Sequence, residues 1–110
     1  EDVAFVLTGQ QLEKLKKAAS VYQLPDISVI GEDGVVKLVA RDKKNDTSND
    51  FSIVVGETDK EFVFNFKEEN LKIVPGTYEV VVSSKLLSRF QSQSYDLTYY
   101  IALEPDSTFG

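Results

Sequence analysis

The sequence predicts an α+β fold in which a βαβββ unit occurs twice, with two helices packed on one face of an antiparallel sheet. Strand-like apolar runs outnumber helical stretches, and the order of elements in residues 1–57 returns in residues 58–110. A length of 110 residues suits one domain with one core. The halves share little residue identity, so the repeat is one of element order. A sandwich with incidental helices is the competing architecture.

Taken in order, "VAFVL" (3–7) reads as a buried strand. Thr8, followed three residues later by Gln11, makes a capping box that opens a helix. Leu12, Leu15, Ala19 and Tyr22 recur at helical spacing as one apolar stripe, and Pro25 stops the helix shortly after Leu24. "DISVI" (26–30) and "VVKLVAR" (35–41) flank the turn "GEDG" (31–34) in the pattern of a β-hairpin. The polar "DKKNDTSND" (42–50) has the composition of a surface loop, and "FSIVVG" (51–56) is strand-like. In the second half "EFVFNF" (61–66) alternates as a strand, and "KEENLKI" (67–73) is a short helical turn with acids at its positive end. "PGTYEVVVSS" (75–84) turns into another strand. "SRFQSQ" (88–93) and "YDLTYYIALE" (95–104) complete the second unit.

Composition narrows the chemistry. The chain holds no cysteine, histidine, methionine or tryptophan. Disulfides and imidazole or thiolate metal ligands are thereby removed, and neither a Ser-His-Asp nor a Cys-His mechanism can be assembled. The expectation is a protein with no catalytic residues, no metal and no cofactor. No apolar run approaches the roughly 18 residues that span a bilayer, and the first residues do not look like a signal peptide. No membrane partner is expected. Because the chain opens on Glu1 rather than Met, the expectation is either an excised piece or the tail part of a longer protein.

The formal charge is −6, yet "LEKLKKAAS" (12–20) gathers three lysines around one acid. At 100° per residue, a stripe centred on Leu12, Leu15 and Ala19 turns Gln10, Lys14 and Lys17 away from the core and leaves Lys16 on the flank. Lys72, between Leu71 and Ile73, faces outward if those two are buried. Lysines segregated on helices attract polyanions despite the negative total. Without arginine or aromatic neighbours they make weak, salt-sensitive, sequence-blind contacts with phosphates. A merely solvated polar face is the plainer account of the same residues.

Other constellations carry less. Asp46, Ser48, Asp50 and Glu57 fall at EF-hand-like spacings, but Phe51 occupies the position that needs glycine and the flanks are strands. Glu68 and Glu69 diverge as neighbours on a helix and are explained by its dipole; a hydrolase built on Asp and Glu rests only on the acid count. "GEDG" lacks the Lys-Ser/Thr and the helix of a phosphate loop. In "TYYIALEPDSTFG" (98–110) Tyr100 and Ala102 share a face opposite Tyr99 and Ile101, before Pro105 and a small polar tail. Such a strand end floors a shallow apolar pocket for a peptide anchor or else packs as ordinary core.

"LTGQQLEKLKKAAS", "EFVFNFKEENLKIVPGTYEVVVSS" and "YYIALEPDSTFG" together resemble the C-terminal domain of the DNA polymerase sliding clamp of T-even-type bacteriophages. The strongest pieces are Phe62, Phe64, Asn70, Lys72, Pro75, Gly76 and Tyr78, then the ending Ala102, Leu103, Glu104, Asp106, Ser107 and Thr108. The resemblance covers essentially the whole chain, and the duplicated βαβββ unit is also that of the DNA-clamp fold. It implies a processivity factor: a homotrimeric ring of two-domain subunits that encircles duplex DNA without regard to sequence. It also implies DNA polymerase docked through a short peptide tail, and a clamp loader. The setting would be the cytoplasm of the infected bacterial host. Carried over, the resemblance makes Lys14, Lys17 and Lys72 face DNA, with Lys16 and Gln10 as weaker contributors. Phe51, Ser52, Ile53, Val54 and Val55 become the edge strand toward the adjoining subunit, and Tyr99 and Ile101 lie on the edge strand toward an N-terminal domain. Tyr100, Ala102, Leu103 and Pro105, with Leu86 or Leu87 from the preceding loop, become the partner-peptide pocket. A non-enzymatic phage or surface structural domain that binds protein is the alternative function.

Overall fold

Strand β1 (Asp2–Leu7) runs directly into helix α1 (Gly9–Val21), after which β2 (Asp26–Glu32), β3 (Val35–Arg41) and β4 (Phe51–Glu57) follow. The second half is β5 (Phe62–Lys67), a 3-10 turn (Glu68–Leu71), β6 (Tyr78–Ser83), β7 (Leu87–Ser92) and β8 (Thr98–Ala102), and a two-residue strand β9 (Thr108–Phe109) comes last. This computed structural model describes residues 2–42, 44 and 50–109. Asp46 and Ser48 of the EF-hand-like spacing lie outside the described residues.

The strands form two antiparallel sheets, ordered β1-β6-β7-β8 and β4-β3-β2-β5-β9, where the sequence suggested one continuous layer. A helix leads from β1 to β2, and strands joined that way pair in parallel if they share a sheet. Every ladder here is antiparallel: β1 lies on β6, with Phe5 opposite Val80, and β2 lies between β3 and β5. Alternation sends Val3, Phe5 and Leu7 of β1, Val80 and Val82 of β6, Ile27 and Val29 of β2, and Phe62, Phe64 and Phe66 of β5 into a single core.

Helix α1 starts on the predicted capping box. Thr8 Oγ1 accepts from the Gln11 N–H at 3.1 Å, and Gln11 Oε1 accepts from the Thr8 N–H at 3.0 Å. Its buried stripe is Leu12, Leu15, Ala18 and Ala19. Tyr22, expected on that stripe, is the C-cap and is exposed, because the helix stops one residue earlier. Gln23 takes a left-handed conformation (φ 54°), its N–H donates to Ser20 O, and the Leu24 N–H reaches back to Ala19 O at 2.8 Å. This is a Schellman stop, and it buries Leu24 in the place expected for Tyr22.

The second helix of the sequence reading is a four-residue 3-10 turn. Lys67 at its N-cap makes no side-chain cap bond, and Leu71 and Ile73 are both buried with Lys72 exposed between them. Burial at every second residue is the period of extended chain, so an α-helix through Ile73 would turn one of these side chains out of the core. The hairpin forms as predicted. Asp33 and Gly34 have φ of 54° and 85°, the signs a type I′ turn requires. The small polar tail returns as β9 against β5, stacking Phe109 on Phe64 with ring centroids 5.7 Å apart.

Candidate nucleic-acid interface and sheet edges

The polar face of α1 presents Gln10, Lys14 and Lys17 to solvent, with Lys16 half-buried on the flank. The segment after β5 runs beside this helix in the opposite direction. At one end the Glu68 N–H donates to Pro25 O at 2.8 Å, just past α1, and at the other the Gly9 N–H donates to Thr77 Oγ1 at 2.9 Å. A Cβ on Gly9 would come within 3.3 Å of the Gly76 carbonyl carbon, so any larger residue would push the two backbones apart by a few tenths of an ångström. Leu15 of α1 and Leu71 of the turn line the same internal void of about 10 Å³, together with Phe66 and Phe90. Lys14, Lys17 and Lys72 therefore sit on neighbouring antiparallel segments that share one core. None of the three makes an ion pair with a described residue.

Both strands expected at edges are outer strands. β4 ends one sheet and β8 the other. On β4, Phe51, Ile53 and Val55 pack against the core half-buried, while Ser52 and Val54 face solvent. An open hollow of about 320 Å³ joins that strand to the helix and is lined by Lys14, Lys17, Ala18, Val21, Tyr22 and Phe51. On β8, Tyr99 packs inward and Ile101 is buried, while Tyr100 and Ala102 face out. Exposed backbone along strands of this length is a template for pairing with another chain.

The pocket residues divide. Ala102 lies across from Leu87, and Tyr100 from Arg89, so these four share the outer face of the sheet. Leu86, Leu87 and Tyr100 are exposed, and Pro105 is exposed as well. Leu103 turns inward and joins the core; its N–H donates to Leu86 O at 3.0 Å, which ties the β6–β7 turn to the end of β8. Leu86 holds a left-handed backbone (φ 66°) at that tie.

A polar network that composition and spacing did not single out fixes the C-terminal segment. Asn65 is buried on β5: its N–H donates to Ser107 Oγ at 2.8 Å, its O accepts from the Glu104 N–H at 2.7 Å, and its Nδ2 donates to Asp106 Oδ1 at 3.2 Å. Arg41 Nε donates to Ser28 Oγ at 3.0 Å, and Ser28 Oγ donates to Asn65 Oδ1 at 2.6 Å. Lys67 Nζ sits 3.5 Å from Asp26 and 3.8 Å from Glu104. The Asp26 carboxylate raises the Lys67 ammonium above its ordinary value of 10.5, against desolvation and with help from Glu104. An asparagine inside an otherwise aromatic strand is the one signal in the sequence that something polar must cross there.

These features define a class: a small α+β domain with a lysine-bearing helix and open sheet edges. The family profile described as "gp45 sliding clamp, C terminal" matches residues 4–105. A protein described as "Sliding clamp" from Vibrio phage KVP40 is 40% identical over 104 residues, which is 91% of this chain and 46% of that protein. The chain belongs to the gp45 sliding clamp family and corresponds to its C-terminal domain. It spans about half the length of the curated relative it matches. Among the described residues no helix is long and apolar enough to cross a membrane.

Proposed function

We propose that the chain is the C-terminal half of a clamp subunit, part of a trimeric ring that encircles duplex DNA and tethers the replicative polymerase. The family match over residues 4–105 carries this reading. In it the domain is a doubled βαβββ unit, residues 1–57 and 58–110, whose second helix has shrunk to the 3-10 turn. Lys14, Lys17 and Lys72, with Lys16 and Gln10, face the duplex. β4 continues into the adjoining subunit and β8 into the N-terminal domain, and a clamp loader opens the ring. The outer face around Leu87, Tyr100 and Ala102 receives partner peptides. The domain acts by topology and electrostatics in the cytoplasm of the infected host and catalyses nothing. Mobile, screened lysine–phosphate contacts permit sliding where base-specific bonds would stall it.

The test uses the full-length protein with Lys14→Glu, Lys17→Glu and Lys72→Glu. All three sites are exposed, so folding should survive. Each lost phosphate contact removes about 0.9 from the slope of log affinity against log salt, so three per subunit, nine in the ring, remove up to about 8. Processive synthesis on a primed circle should fall and DNA retention should lose salt dependence. Unchanged processivity and an unchanged slope would refute the DNA-facing assignment and favour a structural, protein-binding domain that uses only its sheet edges.

A further inference from the structure

On the outer face of the β6–β7–β8 sheet two rungs of side chains lie side by side. Val81, Arg89 and Tyr100 face each other across the three strands in one rung, and Ser83, Leu87 and Ala102 in the next. Between them opens a groove of about 180 Å³, lined by Val81, Ser83, Leu87, Ser88, Arg89 and Tyr100. No lining residue is acidic. Arg89 is half-buried, and its Nε is buried without a hydrogen-bond partner; its guanidinium makes no ion pair with a described residue.

A buried guanidinium N–H without an acceptor is costly, because its hydration is lost and nothing replaces it. Arginine binds carboxylate through two parallel N–H bonds, and the strength of such a pair rises where water is excluded. Beside Arg89 the exposed ring of Tyr100 and the exposed side chain of Leu87 offer apolar walls. A terminal carboxylate is usually held by a nest of free backbone N–H groups. The groove lies over the middle of a sheet whose strands pair on both sides of β7, so Arg89 is its charged donor and no such nest is offered.

We propose that this groove takes the side chain of an Asp or Glu within an extended partner segment. Arg89 anchors the carboxylate, and Leu87 and Tyr100 pack the apolar residue beside it. The proposal rests on the reading of this face as a docking surface and names the chemistry it selects. Arg89 then sets specificity, because its charge lines a groove without an acidic residue and makes no ion pair with a described residue, so an acidic segment supplies the missing counter-charge and a neutral one does not.

The probe is a positional library of eight-residue peptides, acetylated and amidated at the ends, screened on the full-length protein. Asp or Glu should be enriched at one position next to Leu or Phe, and representative binders should weaken about tenfold or more against Arg89→Met. Arg89→Lys should recover only part of the binding, since it keeps the charge but not the fork. Urea unfolding of Arg89→Met should occur at or above the wild-type midpoint, because an unpaired buried donor has been removed. The same library with free C-termini should show no added gain. Absence of binding, enrichment of neutral or basic residues, indifference to Arg89→Met, or a preference for the free terminus would each overturn the proposal. Normal DNA retention in those cases would leave the clamp reading standing, since Arg89 is remote in sequence and strand from the lysine-bearing segments.

Discussion

Gly31 sits in β2 directly opposite Phe62 of β5. A Cβ built there would lie 2.4 Å from Phe62 Cε2 and 2.7 Å from Cδ2 and Cζ. Ordinary contact begins near 3.4 Å, so in Gly31→Ala the ring must retreat by about 1 Å, the difference of 3.4 and 2.4. Little room exists for that. Phe62 is buried and stacked on Phe64 with centroids 4.8 Å apart, and Phe109 stands 6.2 Å beyond it. Overpacking of this kind costs about 1–3 kcal/mol, offset by the roughly 0.5–1 kcal/mol that alanine recovers over glycine in a strand. The net expectation is a loss of about 1–2 kcal/mol, or roughly 4–8 °C in melting temperature for a domain of this size. Urea unfolding followed by far-ultraviolet circular dichroism should show a lower midpoint with an unchanged slope. In a Phe62→Leu background, which removes Cε2 and Cζ, the same substitution should cost markedly less. A Gly31→Ala protein that melts at or above wild type, or a cost undiminished by Phe62→Leu, would show that the ring is not what excludes a side chain.

Two further outcomes follow from the backbone and from charge. Gln23 adopts φ 54° at the helix stop, a conformation that strains any residue with a Cβ, so Gln23→Gly should stabilise the protein by about 1 kcal/mol in a denaturant titration. The ammonium of Lys67 titrates above its ordinary 10.5 beside Asp26. A folded-state value above the unfolded one means that the stabilisation is fully present below pH 10.5 and is lost as pH rises through the raised value. Unfolding midpoints should therefore fall in that alkaline window for the wild type and fall less for Lys67→Met.

Local chemistry was legible in the residues, and distant pairing was not. Thr8 with Gln11, the glycine in the 31–34 turn and the Leu12–Leu15–Ala19 stripe each act within a few positions, so their signals survive in isolation. The partition into two sheets depends on Phe5 meeting Val80 and Ile27 meeting Phe66, partners that no local period identifies. Leu71 and Ile73 could be read as helix or as extended chain until the core they fill was known. Tyr22 followed the stripe faithfully, but the Schellman stop came first. The outward lysines were visible from helical spacing, whereas nothing in the sequence singled out Arg89. Its buried Nε without a partner, and its place between Val81 and Tyr100 on one rung, emerge only from the fold.

The segment 104–109 has a topological effect beyond its own stability. By lying along β5, through Asn65 at one end and β9 at the other, it covers that border of the sheet. β4 and β8 remain outer strands of the two sheets, and β1 is the other outer strand of the first. Fastening the last few residues therefore satisfies, within the chain, a stretch of β5 backbone that would otherwise be a template for another strand.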